Sequence, residues 1–308
     1  MADTTSSSII SRASSVTHEH ILAVLLTEIA ARGAVNGRLR ILDAGCGNGG
    51  LLEYLATNLP VVHPELRIEL HGYDVGDHGV QTAPDYFAAT VARLTDRVPG
   101  TPWAERLHLI SQGDEWPFPA GYFDAVVSNQ VLEHVHDHEA FLGQLARVLR
   151  TGGFSAHLFP LRHYIYESHL NLPLVHRVRN HDLLVRYIAT LSRLGMGKYP
   201  AERRASGMPL SVYAERHADY IVHFTHYRSY GEFLELAKRR HLRASYRYTQ
   251  EFYSSKLARL LGRPPRAIYR HRRSALVDWL CVTVLRYVSG VTLFIEKRES
   301  YTERPPRS

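Results

Sequence analysis

One short stretch, residues 39–50, holds the residue types best suited to binding a charged ligand. An apolar run ends there in an acid, Asp43, which is followed by glycines at alternate positions: Gly45, Gly47 and Gly49. Glycines allow positive φ angles and leave room for a ligand against the backbone, and the first turn of a following helix offers free N–H groups. The pattern is typical of a buried strand, a tight turn and a helix, and it predicts a nucleotide-like ligand.

Two classes of ligand fit this turn. Gly45, Gly47 and Gly50 also have the spacing of a dinucleotide site, so an NAD-type oxidoreductase is one alternative. Asp43 favours the other class. A carboxylate just inside the strand would lie beside a pyrophosphate in a dinucleotide site, whereas it suits a ligand that carries an ammonium and a sulfonium group.

Here the chain resembles the class I S-adenosylmethionine-dependent methyltransferases, whose first motif is a strand followed by D-x-G-x-G-x-G. Later segments resemble the family's F-D-x-V, L-E-H-V and R-V-L-x-x-G-G motifs, at residues 123–126, 132–135 and 147–153. The resemblance covers about residues 39–160 and is to the small-molecule branch, type 11 or type 23. It implies a Rossmann-like α/β fold with a seven-stranded, mostly parallel sheet and helices on both faces, and S-adenosyl-L-methionine as the cofactor.

The cofactor residues can be predicted from the ends of successive strands. Asp74 ends the second predicted strand, 31 residues beyond Asp43, where an acid accepts hydrogen bonds from ribose hydroxyls; Asp77 is a weaker alternative. The resemblance implies that Asp114 accepts a hydrogen bond from the adenine amine. The full predicted set is Asp43, Gly45, Cys46, Gly47, Gly49, Asp74, Asp114, Glu115, Asn129 and Gln130.

Methyl transfer to a hydroxyl needs a base, and histidine suits that task because its pKa lies near working pH. The resemblance places His134 beside the methyl-donor end of the cofactor, which makes it the first candidate, with Glu133 to orient it or to touch the cofactor. Some metal-aided O-methyltransferases carry E-x-x-E-H here. Gln130 replaces the first of those acids, so no metal is predicted.

A second histidine cluster follows the core, at residues 163–176. If this segment is a helix, His163 and Glu167 share a face at four-residue spacing, with His169 nearby, and the three form a base and its orienter or bind sugar-like hydroxyls. The candidate catalytic residues are therefore His134, His163, Glu167 and His169. Some methyltransferases of glycan and polyketide tailoring have a similar E-x-H segment.

The predicted domain organisation has four parts. Residues 1–17, rich in Ser and Thr, are expected to be a disordered tail, with Thr17 as the cap of the first helix. Residues 18–160 form the cofactor-binding core. Residues 161–222 form a largely helical insertion after the fifth strand, expected to be the substrate lid, and residues 223–308 complete the same fold with an antiparallel seventh strand.

Charge is distributed unevenly along the chain and bears on its partners. Residues 1–160 contain 10 Lys and Arg and 18 Asp and Glu, whereas residues 161–308 contain 27 and 12. The basic half suits a phosphate-bearing small molecule, a membrane surface or nucleic acid, unless it reflects an arginine-rich genome. A peripheral membrane contact is predicted beside Trp279, through the arginines 266, 270, 272 and 273.

The predicted function is O-methylation of a small-molecule, glycan or lipid-linked acceptor. A non-catalytic cofactor-binding partner subunit is a further alternative. Nucleic acid is not expected as a substrate, because enzymes that methylate base amines carry an N-P-P-Y-like segment where this chain has Ser-Asn-Gln-Val at residues 128–131. Two distant cysteines predict a reducing compartment, hence a cytoplasmic protein with or without attachment to a membrane.

Overall fold

A seven-stranded sheet forms the centre of the protein, whose computed structural model describes residues 10–34, 36–77, 85–269 and 274–298. The strand order is β3-β2-β1-β4-β5-β9-β8, with β9 antiparallel to its neighbours β5 and β8 and the other pairs parallel. The strands are β1 (Arg38–Ala44), β2 (Arg67–Val75), β3 (Leu107–Ile110), β4 (Phe123–Asn129), β5 (Leu149–Pro160), β6 (Tyr166–Glu167), β7 (Leu172–Pro173), β8 (Leu242–Ser245) and β9 (Gly290–Lys297). This is the mixed, mostly parallel sheet that the sequence predicted; β6 and β7 form a separate hairpin.

Helices cover both faces of the sheet because its central strands are apolar on both sides. One face packs against α1, α2 and α10, through residues such as Leu25, Leu52 and Phe252. The other packs against α5 and α9, through residues such as Leu145 and Phe233. The helices are α1 (Val16–Arg32), α2 (Gly50–Val62), α3 (Tyr86–Arg97), α4 (Trp103–Arg106), α5 (His138–Val148), α6 (His181–Arg193), α7 (Tyr199–Ser206), α8 (Leu210–Phe224), α9 (Tyr230–Arg239), α10 (Thr249–Leu260) and α11 (Ala275–Leu285).

The insertion after β5 has a core of its own. Its helices α6 and α8 pack on each other through Leu184, Ile188, Tyr213 and Ala218, all fully or almost fully buried. The hairpin of β6 and β7 precedes these helices and returns the chain towards α6. The segment is thus largely helical, and its role as a substrate lid stays a prediction.

The expected tail is shorter than residues 1–17. Residues 1–9 lie outside the described part of the chain, but Ile10 and Ala13 are buried in the core on the α1 side of the sheet, so the prediction is wrong for residues 10–17. Ser15, rather than Thr17, caps α1: its side chain accepts a hydrogen bond from the Thr17 N–H at 3.2 Å. The apolar contacts of this segment lie too far away in the sequence to show as a local pattern.

Candidate functional site

The glycine turn between β1 and α2 has one open position. A Cβ atom at Gly45 (φ +77°) would lie 2.6 Å from Val131 Cγ2, and one at Gly49 (φ +72°) would lie 2.7 Å from Leu94 Cδ1. A Cβ at Gly47 (φ +50°) would meet nothing within 4 Å. The turn is therefore packed against the protein on both sides and leaves its middle accessible, as expected of a cradle that a ligand fills.

Two carboxylates lie beside this turn at the ends of neighbouring strands. Asp43 and Asp74 are both buried, and β1 and β2 pair directly, with Asp43 opposite Gly72. Burial, and then the charge of Asp74, raise the pKa of Asp43 well above its ordinary value. Burial and the same two carboxylates raise the pKa of the Cys46 thiol. A cationic ligand would relieve this concentration of buried negative charge, so the pocket fits a molecule with an ammonium and a sulfonium group.

The end of β4 offers a free acceptor to the same region. Asn129 Nδ2 donates to Thr17 Oγ1 at 3.1 Å, while its Oδ1 is buried and has no hydrogen-bond partner among the described residues. Gln130, which has a φ of +57°, donates from its N–H and its Nε2 to the carbonyl of Leu158. Asn129 therefore has an acceptor to offer a ligand, whereas the Gln130 side chain is engaged with β5.

The start of α1 borders the glycine turn, a contact that the sequence did not predict. Thr17 contacts Asn129, and His18 Cε1 lies 3.4 Å from where a Cβ on Gly50 would be. Burial lowers the pKa of His18. No local signal marks these residues, because the contact joins positions 112 residues apart.

Three further predicted acids, Asp77, Asp114 and Glu115, lie in the segments after β2 and β3, and each has a partner. Asp114 Oδ2 accepts from the Ser111 N–H at 2.9 Å, and Asp77 Oδ1 accepts from the Gln112 N–H at 2.7 Å. Glu115 is exposed and forms an ion pair with Arg147 at 3.1 Å. These contacts shape the loops at the edge of the pocket, and the adenine contact predicted for Asp114 stays a prediction.

Glu167 is the centre of a buried hydrogen-bond network in the insertion. Its Oε1 accepts from His169 Nδ1 at 2.5 Å, from the Tyr164 hydroxyl at 3.0 Å and from the Tyr227 hydroxyl at 3.1 Å, and its Oε2 accepts from the Leu170 N–H at 2.9 Å. Burial alone would raise the pKa of Glu167, but the hydrogen bond from His169 and the backbone donors hold it at about 2. The carboxylate is thus ionised and fixes the orientation of the His169 ring.

His134 lies against the His169 ring, which is hydrogen-bonded to Glu167. Its ring centroid is 5.2 Å from that of His169, and the ring of Tyr220 lies 6.0 Å from His134 and 5.1 Å from His169. His134 Nδ1 donates to the Phe224 carbonyl at 2.7 Å. In each neutral ring Nδ1 carries the proton, so Nε2 carries the basic lone pair. The structure therefore brings three of the four candidate catalytic residues together: His134, Glu167 and His169.

His163 does not join them, because the segment is not a helix. The hairpin of β6 and β7 lies where the pairing required a helix, so the four-residue spacing from His163 to Glu167 does not put both on one face. The His163 ring instead lies 5.9 Å from that of Tyr287, and its carbonyl accepts from Arg177 at 2.7 Å. The predicted pairing of His163 with Glu167 is wrong.

Glu133 is buried near Glu167, and neither oxygen of its carboxyl group has a hydrogen-bond partner in any other described residue. Burial, with a smaller contribution from Glu167, raises its pKa to about 8. It therefore does not orient His134 through a hydrogen bond. No group of three or more His, Cys, Asp or Glu side chains within the described ranges is arranged to hold a metal ion.

The fold and the site define a Rossmann-like protein whose open glycine turn, beside two buried carboxylates, suits a cationic cofactor, and comparison with known proteins gives its family. A family model described as a methyltransferase domain matches residues 17–228, more than half of the chain. The chain therefore belongs to the methyltransferase domain family, within the class I S-adenosylmethionine-dependent superfamily. This membership favours the methyltransferase interpretation of the glycine turn over the NAD-type alternative.

Individual relatives are more distant. Ubiquinone biosynthesis O-methyltransferase of Paramagnetospirillum magneticum is 36% identical over 115 residues, which cover 37% of this chain and 38% of that protein. 27-O-demethylrifamycin SV methyltransferase of Amycolatopsis mediterranei is 31% identical over 139 residues, 45% of each chain. The chain thus matches less than half the length of these curated relatives. A solved phosphoethanolamine N-methyltransferase 2 of Haemonchus contortus, with bound S-adenosyl-L-methionine, has a TM-score of 0.44 at 14% identity, covering 89% of this chain and 52% of that one.

Proposed function

We propose that this protein transfers a methyl group from S-adenosylmethionine to a hydroxyl oxygen of a small-molecule, glycan or lipid-linked acceptor. The observation that carries the choice of oxygen is the hydrogen bond from His169 Nδ1 to the ionised Glu167, with His134 against the same ring. A carboxylate-oriented histidine is a device for removing a proton, and a hydroxyl must lose its proton to attack a methyl group. The names of the relatives, two of them O-methyltransferases, support the same class.

The residues of the glycine turn would hold the cofactor. Asp43 and Asp74 supply negative charge, the open position at Gly47 lets the ligand approach the backbone, and the orphaned Asn129 Oδ1 accepts a hydrogen bond. When bound, S-adenosylmethionine supplies an electrophilic methyl group on a sulfonium. The chain itself must bind, orient and exclude water from the reacting groups.

The histidine pair would handle the acceptor proton. Glu167 holds the Nδ1–H of His169, so that Nε2 can accept the hydroxyl proton, and the ionised carboxylate stabilises the imidazolium that forms. The Phe224 carbonyl fixes His134 in the same tautomer. Either Nε2 can act as the base, and the Tyr220 ring packs against both imidazoles.

A transfer assay tests this proposal. The purified chain is incubated with S-adenosylmethionine labelled in its methyl group and with phenols, sugars, lipid-linked alcohols and amines. We expect the label in a hydroxyl acceptor, and we expect the His169→Ala and His134→Ala variants to lower kcat by about a hundredfold or more. His163→Ala is the matched control, because its ring lies against Tyr287 outside the cluster, and it should change kcat less than about twofold.

Two outcomes would contradict the proposal. Label found in amines alone would show that nitrogen, not oxygen, is the acceptor. Binding of S-adenosylmethionine without release of S-adenosylhomocysteine, whatever acceptor is added, would favour the non-catalytic partner subunit.

A further inference from the structure

Helix α11 carries an apolar face that nothing in the described part of the chain covers. Leu276, Leu280, Val284 and Val288, spaced four residues apart, lie in one row along the helix and its C-terminal turn, and all are exposed. Trp279 flanks this row and is 53% exposed. Of the residues of α11, Val282 is the one that is fully buried. A contiguous apolar surface of this kind marks an interaction site.

The apolar face continues onto the hairpin that holds Glu167 and His169. The Ile165 N–H donates to the Tyr287 carbonyl at 2.9 Å, and the Leu174 N–H donates to the Ile165 carbonyl at 2.8 Å. Ile165, Tyr166 and Leu174 are exposed like the residues of α11. We name these exposed residues of α11 and the hairpin the apolar face. It reaches from the C-terminal helix to the segment that contains Glu167 and His169.

Basic side chains lie beside this face at its hairpin end. Near the hairpin, the pKa of His163 is lowered mainly by burial and then by the positive charges of Arg286, Arg162 and Arg177, which therefore lie close to it. Glu232 is the nearby acid that acts in the opposite direction. Arg263 and Arg266 are exposed in the segment after α10, the helix that packs against α11. Residues 252–295 contain eight Lys and Arg against one acid, Asp278, although three of these arginines, at positions 270, 272 and 273, lie outside the described residues.

We propose that the apolar face docks on the surface of an anionic lipid bilayer. The exposed Leu, Val, Trp and Tyr side chains would enter the boundary between headgroups and acyl chains, and the bordering arginines would contact anionic headgroups. A second copy of the chain is a poorer occupant, since a two-fold contact would bring together two copies of the same arginine-rich surface. No helix within the described ranges is long and apolar enough to cross a bilayer.

The placement of the face suggests where the acceptor comes from. Because the apolar face ends at the hairpin of Glu167 and His169, a docked molecule would hold its candidate base close to the bilayer surface. A hydroxyl on a lipid-linked acceptor could reach the base without leaving the membrane surface. This last step rests on the proposed function, whereas docking itself does not.

The fluorescence of Trp279 provides a direct test on the whole chain. The other two tryptophans, Trp103 and Trp116, are buried, so a change in their surroundings is not expected on docking. Vesicles of phosphatidylcholine mixed with phosphatidylglycerol should shift the emission of Trp279 to shorter wavelength and should sediment the protein. Pure phosphatidylcholine vesicles should bind at least about tenfold less, and raising the salt concentration should weaken binding to the mixed vesicles.

A pair of variants with matched exposure assigns the effect to the face. Leu280, which is 50% exposed on α11, and Val61, which is 51% exposed near the end of α2, are each replaced by Glu. Leu280→Glu should lower vesicle binding about tenfold or more, and Val61→Glu should leave it unchanged. Circular dichroism and S-adenosylmethionine binding show that both variants are folded.

The following results would overturn the proposal. An unchanged Trp279 emission with mixed vesicles would exclude docking, and equal binding by Leu280→Glu and wild type would place the contact elsewhere. A blue shift that depends on protein concentration without vesicles, with a dimer mass in light scattering, would assign the face to a second copy. Each of these results can occur while methyl transfer to a soluble acceptor persists, so the proposed function is tested separately.

Discussion

At the scale of single residues, the ionised carboxylate of Asp43 destabilises the folded state but is expected to stabilise the bound cofactor. Its pKa is raised by burial and by Asp74, so ionising it in the folded state is unfavourable. A carboxyl whose pKa is raised on folding destabilises the folded state as the pH rises above its unfolded value. Removing the charge of Asp43 should therefore weaken cofactor binding without destabilising the protein.

Asp43→Asn is expected to weaken S-adenosylmethionine binding more than tenfold, which is about 1.4 kcal/mol, without lowering the melting temperature of the ligand-free protein. Titration calorimetry and thermal unfolding measure the two quantities. Glu235→Gln, on the exposed surface of α9, is the control and should change neither. Unchanged affinity in Asp43→Asn would remove Asp43 from the predicted cofactor site.

Glu133 predicts a pH dependence of stability. Its pKa of about 8 in the folded state lies above its ordinary value. At pH values between these two pKa values, the folded state binds one proton more than the unfolded state. The contribution of Glu133 to the unfolding free energy therefore falls as the pH rises through this window, by up to about 1.4 kcal/mol per pH unit. The difference in unfolding free energy between wild type and Glu133→Gln, measured by denaturant titration at several pH values, should show this slope. Parallel pH profiles would contradict it.

At the scale of elements, two glycines of the same turn have different roles: Gly45 is needed for packing, and Gly47 is expected to be needed for the ligand. Gly45→Ala should lower the unfolding free energy by about 3 kcal/mol, because its Cβ would collide with Val131 at a positive φ. Gly47→Ala has open space and should cost only about 1 kcal/mol, yet weaken S-adenosylmethionine binding at least tenfold.

Gly207 is the control for this pair. It follows α7 at a φ of +71°, and a Cβ atom added there would meet nothing within 4 Å, as at Gly47, but it lies in the insertion. Gly207→Ala should therefore cost about 1 kcal/mol of stability and leave cofactor affinity unchanged. Equal affinities for Gly47→Ala and Gly207→Ala would show that the open position of the turn does not face the cofactor.

The sequence predicts the elements of the core better than those of the insertion. Each of the strands that carry Asp43 and Asp74 has the acid at its next-to-last position, and a strand followed by a turn can be recognised from the local sequence alone. The hairpin around Glu167 depends on Tyr227, which donates to it from 60 residues away. The spacing of His163 and Glu167 was compatible with a helix, and a contact with Tyr227 cannot be read from the residues around Glu167. The same reason hid the contact between Thr17 and Asn129.

At the scale of the whole molecule, Glu28 joins the first helix to the last part of the chain. Its buried carboxylate accepts from Arg32 at 2.6 Å, from Arg247 at 2.5 Å and from the Tyr248 hydroxyl. Removing this carboxylate would leave Arg247 and the Tyr248 hydroxyl without it, whereas Arg32 keeps its ion pair with Glu296. The long separation of these partners explains why sequence patterns predicted α1 but not what it contacts.

Glu28→Ala should lower the unfolding free energy by about 3–5 kcal/mol, measured by denaturant titration. Glu235→Ala, which removes an exposed ion pair with Arg239 at 3.8 Å, should change it by less than about 1 kcal/mol. Similar losses in the two variants would show that the Glu28 network contributes little to holding α1 against the C-terminal segment.

The position of β9 has a consequence for how the chain is made. β9 comes after β8 in the sequence but lies between β5 and β8 in the sheet, and β8 pairs with β9 alone among the described strands. During synthesis, β8 therefore emerges before its partner exists, while β5 presents an unpaired edge until residues 290–297 have followed. The nascent chain passes through a stage with exposed strand edges, which invite aggregation. We expect the late part of translation to be the stage at which this protein depends most on chaperones.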